Sequence, residues 1–192
     1  MNKLPALFSV YYDFGGVDGA PGTEQDVDAL GAPNLRWKTA DNATIDANNP
    51  VPIPAAGTNY SFWKHVYLYA DSAPDTQVDN VKFYTDGTGF GTGITLNVGD
   101  EMPTKTNASS AGYEVADAAV ELAANHGGIT ATTNAFTYTT GSPKSVTIGE
   151  SGGIINAIGE TTNYLVFQLA VADTASSGNL ADETKTFRYD EI

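Results

Sequence analysis

Apolar and polar positions along the chain repeat mostly with the two-residue period of strands. Residues 6–14 set Phe8, Val10, Tyr12 and Phe14 on one face and Leu7, Ser9, Tyr11 and Asp13 on the other, which predicts a strand with one face on a core. Residues 60–70 are aromatic and β-branched. Residues 78–84 place Val81 and Phe83 inward against Lys82 and Tyr84, and 93–98 place Ile94, Leu96 and Val98 against Thr95 and Asn97. Short links carrying Pro74 and Asp86-Gly87 predict that these three strands form a meander. The strongest pattern is 163–172: Leu165, Phe167, Leu169 and Val171 face one way, Tyr164, Val166, Gln168 and Ala170 the other. Both sets are mostly apolar, which predicts a strand in the middle of a sheet, covered on both sides.

Weaker patterns add short strands at 34–40 around Leu35 and Trp37, at 136–138, at 145–148 and at 184–189. Residues 114–125 are rich in alanine and end at Asn125-His126-Gly127-Gly128, so they predict the one helix; a strand centred on 113–115 is the alternative. Residues 15–33 hold Gly, Pro and acids, with only Val17, Val27 and Leu30 apolar, and read as a long loop. Residues 41–57, with Pro50, Pro52 and Pro54, read as an extended connector. Eight to ten short strands, at most one short helix and no alternation of strands with helices predict an all-β fold. We expect a single β-sandwich or jelly roll over 1–192, with extended loops at 15–33 and 41–57.

Charge narrows the function. Twenty-three acids against nine bases give a net charge of −14, which argues against binding a phosphate backbone. No cysteine and only two histidines leave little material for transition-metal sites or for thiol chemistry. No apolar run has the length of a membrane helix, and the N-terminus lacks the apolar stretch and cleavage site of an export signal, so a soluble, non-exported chain with no membrane partner is expected.

Gly149-Glu150-Ser151-Gly152-Gly153 matches the G-x-S-x-G pattern of a nucleophile elbow, but no histidine follows Ser151, as the α/β-hydrolase order requires. The same five residues resemble the Gly-Asp-Ser-Gly-Gly element of chymotrypsin-like proteases, which would recruit His65 and Asp86 as base and orienter. His65, within Phe62-Trp63-Lys64-His65-Val66, lacks that family's histidine surroundings, so a glycine-rich turn is the reading carried forward and no enzyme is expected. Asp86 to Gly93 is glycine-rich, but its spacing fits no nucleotide-binding loop. The acid sets Asp71, Asp75 and Asp79; Glu24, Asp26 and Asp28; and Asp41, Asp46 and Asn48 are candidates for a structural calcium ion, and no other cofactor is expected. Trp37, Trp63, Tyr67 and Tyr69 are candidates for a sugar-stacking platform.

The strand at 163–172, the Ser176-Ser177-Gly178 loop and the closing Thr186-Phe187-Arg188-Tyr189-Asp190-Glu191-Ile192 resemble small structural proteins of tailed-phage virions. The stretch from Phe62-Trp63-Lys64 to Asn80-Val81-Lys82-Phe83-Tyr84 adds to that resemblance. It implies a virion component: a capsid decoration or cement protein, or a neck, tail or fibre part, partnered by other virion proteins in a homo-oligomer or lattice. It implies no catalytic residues. Subunit contacts are then expected from the apolar residues of the two long loops, Val27, Leu30, Val51 and Ile53. A carbohydrate-binding β-sandwich module is the second reading and a chymotrypsin-like protease the third.

Overall fold

A computed structural model describes residues 6–28, 35–44, 48–100 and 104–192. It is an all-β fold of two packed antiparallel sheets, as the two-residue period requires. Strands β1 (Phe8–Val17), β2 (Ala20–Asp26), β3 (Thr58–Tyr60), β4 (Lys64–Ala70), β6 (Ile94–Gly99), β7 (Thr132–Asn134) and β9 (Leu165–Ala172) form the large sheet, in the order β2-β1-β4-β9-β6-β7. β3 pairs with β9 beside β4. The small sheet is β10 (Lys185–Glu191), β5 (Val78–Thr85) and β8 (Lys144–Ser145), in the order β10-β5-β8.

β9 is the central strand. It pairs with β4 and β3 along one side and with β6 along the other. Leu165, Phe167, Leu169 and Val171 enter the core between the sheets, while Tyr164 and Val166 enter a second cluster on the opposite face. That second cluster, with Trp63, Tyr67, Tyr113, Leu122 and Ile129, lies beneath the largely irregular segment 104–131. The molecule therefore has three layers, and both faces of the large sheet are covered. This is why Asp13, on the more polar face of β1, is buried.

β5 and β10 show how a local irregularity preserves the pattern. Arg188 opposes Lys82 while Asp190 opposes Asp79, so β5 carries one extra residue between those pairs. Asn80 occupies the bulge with φ 48°, a region asparagine tolerates better than most side chains, and its amide donates to Asp190 at 2.6 Å. The extra residue allows both Val78 and Val81 to face the core although they are three positions apart.

Four sequence expectations are corrected. β4, β5 and β6 are not a meander: β5 belongs to the other sheet, and β9 separates β4 from β6. Residues 15–33 are not a loop throughout, because β1 extends to Val17 and pairs with β2 up to Asp26. Gly15, Gly16 and Gly19 take positive φ where this hairpin twists and turns, and a Cβ on Gly16 would lie 2.3 Å from the Ala20 carbonyl oxygen. Residues 35–40 form no strand, and 136–138 begin within a 3₁₀ turn, Ala135–Thr137, capped by the Asn134 side chain. The helix over 114–125 is reduced to a single turn, α1 (Leu122–Asn125). Backbone N–H groups of Val115, Ala119 and Leu122 donate instead to Asp18, Asp117 and Gln168 side chains, at 2.8, 2.8 and 2.7 Å. These bonds divert donors that a continuous helix would use. Among the described residues, no helix is long and apolar enough to cross a membrane.

Candidate functional site

The small sheet has three strands and faces a wider one, and beside β10 chain segments around Trp37 and Val51, not strands, pack against the inner face of the large sheet. A groove of about 1130 Å³ occupies that place. Its floor is the margin of the inter-sheet core, Phe167, Leu169 and Val171. Its walls are Trp37, Phe90, Ile94 and Phe187, and chain segments 48–53 and 176–185 border it. Trp37 leans on Phe167 with ring centres 6.0 Å apart, and Phe83 joins Phe167 to Phe187 at 5.2 and 5.7 Å.

Three of the four residues expected at an interface converge here. Val27 lines the groove together with Val51 and Ile53, two residues of a separate segment. Val27 is fixed by its N–H, which donates to the Val10 carbonyl at 2.8 Å. The proline-rich connector is held extended by Thr39 N–H to the Asn49 carbonyl at 2.8 Å and by the Asn59 amide to the Pro52 carbonyl at 2.8 Å. These bonds leave Ile53 39% exposed at the groove. Leu30 lies outside the described residues.

The rim carries charge of both signs, with Asp28, Asp182 and Glu183 near Arg36 and Lys185. The Lys185 ammonium sits 5.6 Å above the Phe90 ring, and burial lowers its pKa against the opposing pull of Glu183 and Asp86. β10 is the outer strand of its sheet, and its Lys185 and Phe187, alternate residues on one face, line the groove. From the sequence, apolar loop residues are expected as subunit contacts, and three of them line this groove. The pattern does not group Trp37, Phe90, Ile94 and Phe187 with them, because a large apolar residue reads equally well as core.

The other candidates are not assembled in this way. His65 is buried in β4, and its Nε2 meets His126 Nε2 at 3.1 Å and the Glu114 N–H at 3.3 Å. Asp86 accepts the Thr88 N–H at 2.8 Å, and Ser151 is exposed in a 3₁₀ turn, so the three do not form a hydrogen-bonded triad. Among the described residues, no group of three or more His, Asp or Glu side chains is placed to share a metal ion; Asp46 lies outside them. Asp71 accepts from the Ser9 hydroxyl at 2.7 Å, and Asp41 binds the buried Lys64 ammonium at 3.0 Å. Trp63 and Tyr67 are fully buried and present no face for stacking a sugar. No protein-family model matches the chain, no curated protein matches it, and no solved structure matches it.

Proposed function

We propose that the chain is a non-enzymatic structural subunit of a virion or similar particle, and that it receives an extended apolar segment of a neighbouring subunit in the groove beside β10. The observation that carries this reading is the convergence of Val27, Val51 and Ile53 on one apolar groove next to an outer strand. Main-chain groups along an outer strand can pair with an added strand, while the pockets beside it select side chains.

The charge of the chain specifies the partner further. At −14, a second copy of the same surface is repelled on approach, whereas a segment bearing Lys or Arg beside its apolar residues is attracted. The same charge keeps the protein away from packaged nucleic acid.

The test is incorporation into particles. Purified particles from producing cells are analysed for the wild-type chain and for Val51→Asp and Ile53→Asp, both at groove positions that are not fully buried. Wild type is expected at a fixed stoichiometry, and both variants are expected to fold with unchanged circular dichroism yet be missing from particles. A wild-type chain absent from particles, or variants incorporated like wild type, would contradict the reading.

A further inference from the structure

On the opposite face of the large sheet, a buried lysine meets two tyrosines and two carboxylates, Asp13 buried and Glu24 half-exposed. Lys105 is 4% exposed and Asp13 is 1% exposed. The Lys105 Nζ lies 2.9 Å from Glu24 Oε1, 3.2 Å from Ser110 Oγ and 3.8 Å from Asp13 Oδ2. It sits over the Tyr67 ring at 4.7 Å. The Tyr164 hydroxyl donates to Asp13 Oδ2. The Tyr67 hydroxyl lies 3.1 Å from Asp13 Oδ1 and 2.8 Å from Glu24 Oε1. With a single proton it can serve only one of them at a time, so it links the two carboxyl groups as a relay.

We propose that Lys105 and Asp13 form an intramolecular amide, with Glu24 and Tyr67 moving the protons and Tyr164 holding the oxyanion. The geometry supplies each part. An amine is held close to a carboxyl group where bulk water is largely excluded. A base touches the amine. A hydroxyl stands at the oxygen that must carry negative charge in the tetrahedral intermediate.

The steps balance without any co-reactant. The ammonium gives one proton to Glu24, and the relay passes it through Tyr67 to Asp13 Oδ1, leaving a neutral amine and a neutral acid. The Nζ lone pair attacks Asp13 Cγ, the C–N bond forms, and Oδ2 takes negative charge beside the Tyr164 hydroxyl. Glu24 accepts a second proton from the nitrogen and returns it through Tyr67 to Oδ1. The Cγ–Oδ1 bond breaks, Oδ1 departs as water, and Glu24 is again a carboxylate. Burial raises the Asp13 pKa from 3.8 to about 6, against the opposing pull of the Tyr164 hydrogen bond and the Lys105 charge, so the neutral acid needed for attack is accessible near neutral pH. Burial disfavours the Glu24 carboxylate too, but hydrogen bonds from Lys105 and Tyr67 outweigh it and its pKa is lowered, as suits a proton carrier that ends each cycle ionised.

The backbone is built to hold this lysine. The Lys105 N–H donates to Asn163 Oδ1 at 3.1 Å. Glu150 Oε1 accepts from Asn107 N–H at 2.7 Å and from Thr161 N–H at 3.0 Å, fastening the next turn to the chain before β9. The amide would tie that covering segment to β1 and lock the third layer in place. It is independent of the groove beside β10.

Intact-mass spectrometry of the purified full chain tests it. The wild-type mass is expected to fall below the sequence mass by one water molecule, after allowance for Met1 removal, and digestion is expected to yield one linked peptide pair joining Asp13 to Lys105. Lys105→Arg, which keeps the charge, and Asp13→Ala are expected at full mass, and Glu24→Gln at full mass or with much slower loss of water. A wild-type chain at its full sequence mass overturns the proposal without reliance on any variant. A lost water mapped to another pair, including Lys105 with Glu24, also overturns it.

Discussion

The carbonyl oxygen of Lys105 occupies the place where a side chain on Gly149 would begin: a Cβ there would lie 1.7 Å from it and 2.4 Å from Asn163 Oδ1. Backbone meets backbone at this point, so neither side can yield by turning a rotamer. The glycine-rich run that resembles a nucleophile elbow is thus a seat for the segment carrying Lys105, and Glu150 beside it is its clamp. Gly149→Ala is expected to cost about 1–3 kcal/mol, the usual range for forced overpacking. It should also lower the fraction of chains carrying the Lys105–Asp13 linkage. Chemical denaturation and intact mass on the same sample check both.

Gln168 holds the alanine-rich segment to β9. Its Oε1 accepts the Leu122 N–H at 2.7 Å, and its Nε2 donates to the Ser61 and Val120 carbonyls at 3.1 and 3.0 Å. Gln168→Leu leaves three polar backbone groups unserved, at about 1–3 kcal/mol for each that stays buried. The expected result is a loss of about 3 kcal/mol or more, with amide-exchange protection lost first across 116–126. Protection unchanged in that segment would show that other contacts hold it.

The histidine pair sets the acid limit of stability. The Gly128 N–H donates to His126 Nδ1 at 3.1 Å, so Nδ1 is bare and Nε2–H is left to donate to His65 Nε2. Both rings are then neutral. Burial lowers both pKa values from 6.5, with His126 and Lys64 adding to the effect at His65, and Glu114 and Asp18 opposing it at His126. The unfolded chain binds these protons more readily than the folded one, so the pair's contribution is complete above about pH 6.5 and is lost as pH falls below it. Asp13, where it remains a free acid, acts in the opposite sense: its raised pKa favours the fold below pH 3.8, and that contribution is lost as pH rises through about 6. Two histidines outweigh one carboxyl group, so stability measured by denaturant between pH 5 and 7 is expected to rise with pH. In His126→Gln the slope should be shallower, and an unchanged slope would count against the assignment.

β9 could be read from the sequence because both of its faces are buried and its alternation therefore has a clear physical cause. Val81 and Phe83 were legible for the same reason, and the groove residues Val27, Val51 and Ile53 stood out as apolar side chains in otherwise polar loops. β2 was hidden because it is an outer strand, largely exposed and made of Thr, Glu, Gln and Asp, so burial leaves little pattern on it. The jump of β5 to the other sheet was also hidden, because periodicity reports which side chains face inward and not which strand lies alongside. The Lys105–Asp13–Glu24 cluster draws on three segments far apart in sequence. Asp13 read as a solvent-facing residue until the covering layer was placed over it.

The absence of cysteine from the chain allows the docking claim to be tested directly. Ile53→Cys introduces a single thiol at the groove, and Ser151→Cys introduces one at an exposed turn outside it. Each variant is labelled with a thiol-reactive photo-crosslinker, incorporated into particles and irradiated. The prediction is a covalent adduct from position 53 to an apolar, Lys- or Arg-bearing segment of a neighbouring subunit, with no such adduct from position 151. Adducts from both positions alike, or none from position 53 in assembled particles, would contradict a docking role for the groove.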